Sequence, residues 1–374
     1  MPYGMKSSQN FIEDCRFVVA RLGGEYNLRS ELMFDLAGNS LLGVDYMRLT
    51  EILKDKCIPK NLREMIESLS QNGKIALDNY YNEDSDFYKH ASPRLIIPEL
   101  SYDTSIDENL YHYTTIESLI KIVHSKEWLI KQKDFMNDPK EFQYTIDFGI
   151  TILDSLSATS DEKRLFAETL KQGPFSDSYI WSFAKNKNSQ TLFGNYSGNK
   201  NGVALGFKLP EIQAVLATHF AHGKVDPNIF SEGDAYVFPL KVIYDKEVQF
   251  EYLKPVVEEW LFAKRSLEQD WNDMKSIMED CFTAITIFAL DFKNPLLWQE
   301  EEIRFVVTNI NADSARHPEA YVGEVPFVKC NIEDTLIREA IVQTGNSISL
   351  ESLKKLFNKN GFTNIDVKES ELPY

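Results

Sequence analysis

The chain has 374 residues, 43% hydrophobic and 26% charged, with a net charge of −17 and a pI near 4.9. That length exceeds what one core usually serves, roughly 250 to 300 residues, and predicts two domains; the acidity disfavours sequence-independent binding to a phosphate backbone, and the apolar content excludes long disorder. The longest apolar run, Phe282 to Leu290, falls short of a bilayer span, MPYGMKSSQN lacks a signal-peptide core, and Cys15, Cys57, Cys281 and Cys330 form no CxxC pair, so a cytoplasmic protein without disulfide framework or structural zinc is expected.

Residues 1–98 read as a mostly helical accessory domain: Phe11, Phe17, Val18 and Leu22, then Leu49, Ile52 and Leu53, recur near helical spacing, with a turn at Gly38 to Gly43. Tyr80 to Pro93 is polar, acidic and ends in proline, the composition of a linker or surface excursion, and sets the boundary near 98. A second regime opens at Asn109. Leu110 to Thr114 is short, aromatic and β-prone, and Thr114 with Glu117 forms a capping box ahead of the apolar stripe Ile116, Leu119, Ile120 and Val123. Trp128 to Lys131 is extended, and Asp138-Pro139-x-Glu141 supplies an N-cap, a first-turn proline and an N3 glutamate for the next helix. Strands follow at Ser178 to Ala184, Gly202 to Phe207 and Phe238 to Tyr244; a short helix, Gln190 to Tyr196, and a turn at Asn199 to Gly202 separate the first two. Residues 251–292 predict a helical insertion and Ile303 to Val307 a strand. Residues 337–374 close as strand, helix and strand, with Leu350, Leu353, Leu356 and Phe357 on the helix face and a stop at Asn360-Gly361. The expected class is α+β, a mixed β core over 99–374 with flanking helices.

Three constellations carry the chemistry these elements can offer. Tyr111-His112-Tyr113-Thr114 ends a strand that feeds a capped helix, where backbone donors are free. A histidine there hydrogen-bonds a ribose hydroxyl and the backbone of Tyr113 pairs with a flat carboxamide, although a structural histidine has the same local pattern. Trp298-Gln299-Glu300-Glu301-Glu302-Ile303-Arg304-Phe305 sets three carboxylates ahead of an apolar strand; a two-residue period places Glu300, Glu302 and Arg304 on one face and Glu301, Ile303 and Phe305 on the other. Such a cluster tunes an anionic group and stabilises an oxocarbenium-like centre, or merely guards a strand edge against aggregation. Ser182 and Phe183, followed by Tyr196, offer a hydroxyl and aromatic faces to a flat ring, or simple packing. GxGxxG, P-loop, HExxH and GxSxG motifs are absent, and His219 and His222 lack a partner at ligand spacing, so no metal is expected.

Four segments taken in order, YHYTT at 111–115, FMNDPKEF at 135–142, SFAKNKNSQTLFGNYSGNKNGVALGF at 182–207 and KNPLLWQEEEIRFVV at 293–307, resemble the bacterial family known as domain of unknown function 2971. The closing stretch from Ile337, ending VKESELPY, is similar to it as well. That family in turn resembles the ADP-ribosyltransferase superfold, whose site combines a His or Arg on an early strand, a Tyr or Ser on a middle strand and a late Glu. The resemblance implies NAD⁺ as substrate and no metal. It puts His112 on the adenosine-side ribose with Tyr113 and Thr114 beside it, Ser182 and Phe183 at the middle-strand position, and Asn137 and Tyr196 in the pocket lining. Glu300-Glu301-Glu302 is similar to the E-x-E turn, which nominates Glu302 as catalytic and Glu300 as accessory. The implied activity is transfer of ADP-ribose to RNA, DNA or protein, in a toxin or antiphage effector restrained by an antitoxin or other partner protein. The alternative is a catalytically silent sensor that binds NAD⁺, nucleotides or nucleic acid.

Overall fold

A computed structural model describes residues 54, 60–82, 84–136, 140–171, 178–197, 200–220, 235–266, 272–309 and 318–373. The helices expected around Phe11 to Leu22 and Leu49 to Leu53, the turn at Gly38 to Gly43, the Asp138-Pro139 helix start, and Asn137, Asn199, Cys15, Cys57 and His222 lie outside the described residues. The chain divides into two compact units, one formed by residues 1–95, 149–169 and 251–285, the other by 96–148, 170–250 and 286–374.

The described part of the first unit is helical. It draws on α1 (Lys60–Ser68), α2 (Gln71–Tyr81), α3 (Asp86–Ala91) and the start of α4 (Pro93–Leu100). The stretch from Tyr80 to Pro93, expected as a linker, holds a capped helix instead: Ser85 Oγ accepts from the Tyr88 N–H at 2.9 Å, and Phe87, Tyr88 and Ala91 are buried. A serine cap and one apolar face suffice for a helical turn even where the composition is turn-like. The middle segments come from α6 (Glu141–Ser155), α7 (Ser160–Lys171), α10 (Lys246–Ser266) and α11 (Asn272–Asp291). Their aromatic contacts explain why 251–285 groups here and not with the sheet: Trp260 meets Phe166 at 5.1 Å and Phe282 at 6.1 Å. No described helix is long and apolar enough to cross a membrane.

The second unit is built on a ten-stranded mixed sheet. Its strands are β1 (Asn109–Thr115), β2 (Glu127–Gln132), β3 (Ser178–Ala184), β4 (Gly202–Lys208), β5 (Ala235–Lys241), β6 (Glu302–Asn309), β7 (Ala320–Val322), β8 (Val325–Asn331), β9 (Ile337–Val342) and β10 (Asp366–Glu369). Helices α5 (Ile116–Ser125), α8 (Gln190–Tyr196), α9 (Leu209–Phe220) and α12 (Leu350–Lys359) flank it, and a 3₁₀ turn, Pro295–Glu300, leads into β6. The order is β10-β9-β4-β1-β3-β2-β8-β7, with β6 paired to β3 and β5 to β6; β9 and β10 are parallel and the other pairs antiparallel.

Two sequence readings shift in register. The cap of α5 is Thr115 and not Thr114, because β1 runs one residue further and Thr115 Oγ1 accepts from the Ser118 N–H at 3.2 Å. The strand expected at Phe238 to Tyr244 is Ala235–Lys241, since Asp245 already accepts from the Glu247 N–H at 2.8 Å at the start of α10. One face of the sheet buries Leu110, Trp128, Trp181, Phe183, Phe207 and Phe305; Tyr111, Tyr113, Leu192, Phe193 and Ala204 form a smaller cluster on the other.

The pairing of β3 positions the site. Along one edge β6 accompanies it from Ser178↔Thr308 to Ala184↔Glu302. The other edge is divided: Tyr179 and Ile180 pair with Gln132 and Lys131 of β2, Ala184 pairs with Tyr111 of β1, and Trp181 to Phe183 pair with neither strand.

Candidate functional site

A cleft of about 480 Å³ lies where β1 and β2 part along β3, and its lining includes His112, Tyr113, Thr114, Ser182, Phe183, Tyr196, Glu300 and Glu302. The structure therefore brings together every sequence-predicted site residue that it describes.

His112 bridges the divided edge. Its Nδ1 lies 2.8 Å from the Ser182 carbonyl oxygen, while its own strand continues alongside β4 through His112↔Leu205. A carbonyl only accepts, so Nδ1 carries the proton and Nε2 keeps a lone pair. The ring meets Trp128 edge-on at 4.7 Å and Phe183 at 6.0 Å. Burial lowers its pKa to about 4 against the opposing pull of the Ser182 carbonyl, so the imidazole is neutral at pH 7. Tyr113 holds the loop after β3: its hydroxyl donates to the Asn186 carbonyl at 2.5 Å and accepts from the Ser189 N–H at 2.9 Å.

Strand alternation sets Ser182 on the same face as its register partner Arg304, with Glu302 opposite Ala184. Ser182 Oγ is enclosed and has no hydrogen-bond partner among the described residues. Phe183 lines the cleft, yet its ring packs against Trp181 at 4.8 Å, Phe207 at 5.5 Å and Phe305 at 5.6 Å, as a core side chain does. Tyr196 stays protonated, its pKa raised to about 12 by burial and then by Glu300 and Glu302.

Five charged side chains, none more than 10% exposed, form a cluster beside the cleft. Lys293 Nζ lies 2.5 Å from Glu302 Oε2, 2.7 Å from Glu300 Oε2 and 3.2 Å from Glu141 Oε1. Arg304 pairs with Glu141, reaches Glu302 Oε1 through Nε at 3.1 Å and Glu302 Oε2 at 3.1 Å, and donates to the Leu290 carbonyl at 2.7 Å. Desolvation opposes ionisation of Glu302, but Arg304 and Lys293 outweigh it and hold its pKa at about 2. Desolvation likewise pulls Lys293 down, and Glu302, Glu141 and Glu300 carry it above the ordinary lysine range. Asp291, wholly buried near Arg304 with neither oxygen hydrogen-bonded, is pushed well above the ordinary carboxyl range by burial.

Glu300 closes the 3₁₀ turn and Glu302 opens β6, so only Glu302 owes its direction to the strand; Glu301 between them is exposed. Lys293 and Glu141 are the members that sequence reasoning missed. Both lie inside the segments that carry the family resemblance, but neither has a periodic neighbour to mark it. With a neutral acceptor at His112, an unpartnered hydroxyl at Ser182, aromatic walls and a carboxylate pair, the cleft suits a polar, ring-bearing ligand with positive charge near the carboxylates.

No curated protein and no solved structure matches the chain at a significant level. The stretch that joins Tyr196 to Glu300 and Glu302 lies within a family match: residues 192–305 match the model of the family described as Protein of unknown function (DUF2971).

Proposed function

We propose that the cleft binds NAD⁺ and transfers its ADP-ribose to a macromolecular acceptor, RNA, DNA or protein. The observation that carries this reading is the meeting of neutral His112, Ser182 and the Glu300–Glu302 pair around one gap in the sheet, in the chain order His, Ser, Glu of the ADP-ribosyltransferase superfold. The cleft volume, about 480 Å³, falls in the range of small-molecule and cofactor sites. In the reaction the bond from the ribose C1′ to the nicotinamide nitrogen breaks, both electrons leave with nicotinamide, and C1′ becomes oxocarbenium-like. The acceptor's nucleophile bonds to C1′ and releases its proton to a base. The carboxylate pair stabilises the positive centre, and His112 Nε2 accepts from a ribose hydroxyl.

Incubation with labelled NAD⁺ and a bacterial extract, followed by mass spectrometry of proteins and nucleic acids, tests the proposal. Released nicotinamide and one labelled acceptor class are expected; a wild-type protein that neither binds NAD⁺ nor releases nicotinamide overturns it. Expression without a partner protein is expected to slow bacterial growth, and the double variant Glu300→Gln/Glu302→Gln to relieve it. Equal growth of both well-expressed forms removes the toxin setting. A silent NAD⁺ sensor is the second reading, favoured by the cations that engage both oxygens of Glu302. Titration calorimetry selects it if NAD⁺ saturates the protein and no extract yields nicotinamide.

A further inference from the structure

The two carboxylates of the cleft differ in what they leave available. Glu302 accepts at Oε2 from Arg304 at 3.1 Å with Lys293 2.5 Å from the same oxygen, and its Oε1 stands 3.1 Å from Arg304 Nε as an ion pair without a hydrogen bond. Glu300 has Oε2 against Lys293 at 2.7 Å, and among the described residues its Oε1 takes no hydrogen bond. The third carboxylate, Glu141, does not line the cleft; it faces a separate cavity of about 270 Å³ with Arg304, Lys133 and Asp134. Three carboxylates against two cations leave one negative charge over when all are ionised. Glu300 is the cleft member whose charge is not fully countered.

Tyr196 stands on the same side. Glu300 is the strongest of the charges that raise its pKa, and the turn carrying Glu300 is tied to α8 by Thr191 Oγ1, which donates to Gln299 Oε1 at 2.9 Å. Glu302 is fixed on its other flank as well, because its backbone N–H donates to the Tyr244 hydroxyl at 3.1 Å. Strand β6 thus holds one carboxylate rigidly, and the turn before it presents the other.

Resting on the NAD⁺ reading above, we propose that Glu300 is the catalytic carboxylate that meets the ligand's developing positive charge, and that Glu302 and Lys293 are positioning residues. Glu302 anchors the Lys293 ammonium, and that ammonium fixes one oxygen of Glu300 so that the other faces the cleft. This reverses the roles that the E-x-E likeness implies. It also explains why a lysine sits between two carboxylates that otherwise repel each other.

Three measurements on the full chain test the assignment. Glu300→Gln is expected to keep the wild-type melting midpoint and to bind NAD⁺ within about 3-fold, while nicotinamide release falls by about 100-fold or more, as for an interaction formed mainly in the transition state. Glu302→Gln is expected to lower the midpoint by several degrees, because it removes the partner of two buried cations, and to retain more turnover than Glu300→Gln. Lys293→Met is expected to lower kcat by more than it raises KM, since Glu300 loses the ammonium that positions it, with Lys293→Arg restoring kcat.

Carbodiimide coupling of an amine to the folded protein, located by peptide mass spectrometry, reads the placement without any turnover. Coupling needs a carboxyl oxygen that the reagent can reach, so Glu300, whose Oε1 takes no hydrogen bond among the described residues, is expected to react ahead of Glu302, whose two oxygens both lie against cations. Labelling of Glu302 first, or a Glu300→Gln variant that turns over while a stable Glu302→Gln does not, overturns the assignment. A wild type that releases no nicotinamide yet labels at Glu300 first removes the transferase reading and leaves the placement standing.

Discussion

Glu301 lies at φ 43° and ψ 46°, left-handed backbone that a residue with a Cβ adopts at a cost, and it caps the 3₁₀ turn with its N–H on the Trp298 carbonyl. That single residue reverses the chain between two inward-facing carboxylates. Glu301→Gly is expected to be neutral or to stabilise by up to about 1 kcal/mol, and Glu301→Val, β-branched, to destabilise, both read from urea midpoints. Strand periodicity made Glu302 and Arg304 legible as one group, whereas Glu300, expected on the same strand face, joins them from the 3₁₀ turn. Lys293 and Glu141 were not legible, because only the folded sheet brings Glu141 and Arg304, 163 positions apart, into contact. At the neutral histidine, His112→Ala is expected to weaken NAD⁺ binding by about 1–3 kcal/mol by calorimetry, the cost of one lost hydrogen bond within a site. Unchanged affinity there means that His112 serves only to bridge β1 and β3.

At the start of β4, Gly202 is glycine for want of space. A Cβ there would meet Ser197 Cβ at 2.3 Å and Phe193 Cδ1 at 2.9 Å, so α8 crosses against the strand's own backbone. Gly202→Ala is expected to destabilise by about 1–3 kcal/mol in chemical denaturation and to disturb Tyr196 through the same helix. The elements β1, β3, β4 and α8 were read in place, while the closing strands, expected at Ala340 to Gln343 and Asn364 to Val367, run over Ile337–Val342 and Asp366–Glu369 around α12. The β7–β8 hairpin, which brings Val322 and Phe327 to the cleft, was not read: Ala320–Val322 is too short to show alternation, and Tyr321 and Val322 are exposed. Ser85 and its helix were missed for a different reason, since cap residues and linker residues share a composition.

Across the whole molecule, stability responds to pH in two opposite senses. His112, near 4 when folded against 6.5 ordinarily, contributes stability above pH 6.5 that is lost as pH falls toward 4. Glu302, near 2 against 4.5, contributes stability above pH 4.5 that is lost as pH falls toward 2. In the helical unit Glu259 runs the other way: burial lifts it to about 8, the Asn79 amide offsets only part of this, and its contribution, present below pH 4.5, is lost as pH rises through 8. Glu259→Gln is accordingly expected to raise the melting midpoint at pH 8 and to change it little at pH 4.5; an equal effect at both pH values means that Glu259 ionises freely in the folded chain.

The helical unit was legible only in part, because nothing in composition announces that 149–169 and 251–285 return to it. A fragment of residues 99–374 is therefore expected to aggregate, since it lacks Ser70, Asn79 and His90, the partners of Ser266, Glu259 and Tyr252 on α10. Monomeric, cooperatively melting fragment argues that the sheet unit folds without them. The same interleaving sets a timetable on the ribosome. The partners of α2 at Glu259 and Ser266 follow it by 180 and 196 residues, so at a synthesis rate of about 5–20 residues per second α2 waits about 10 to 40 s for them. Much of the sheet unit's chain emerges during that interval, and the first unit to begin synthesis must await segments translated long after its own beginning.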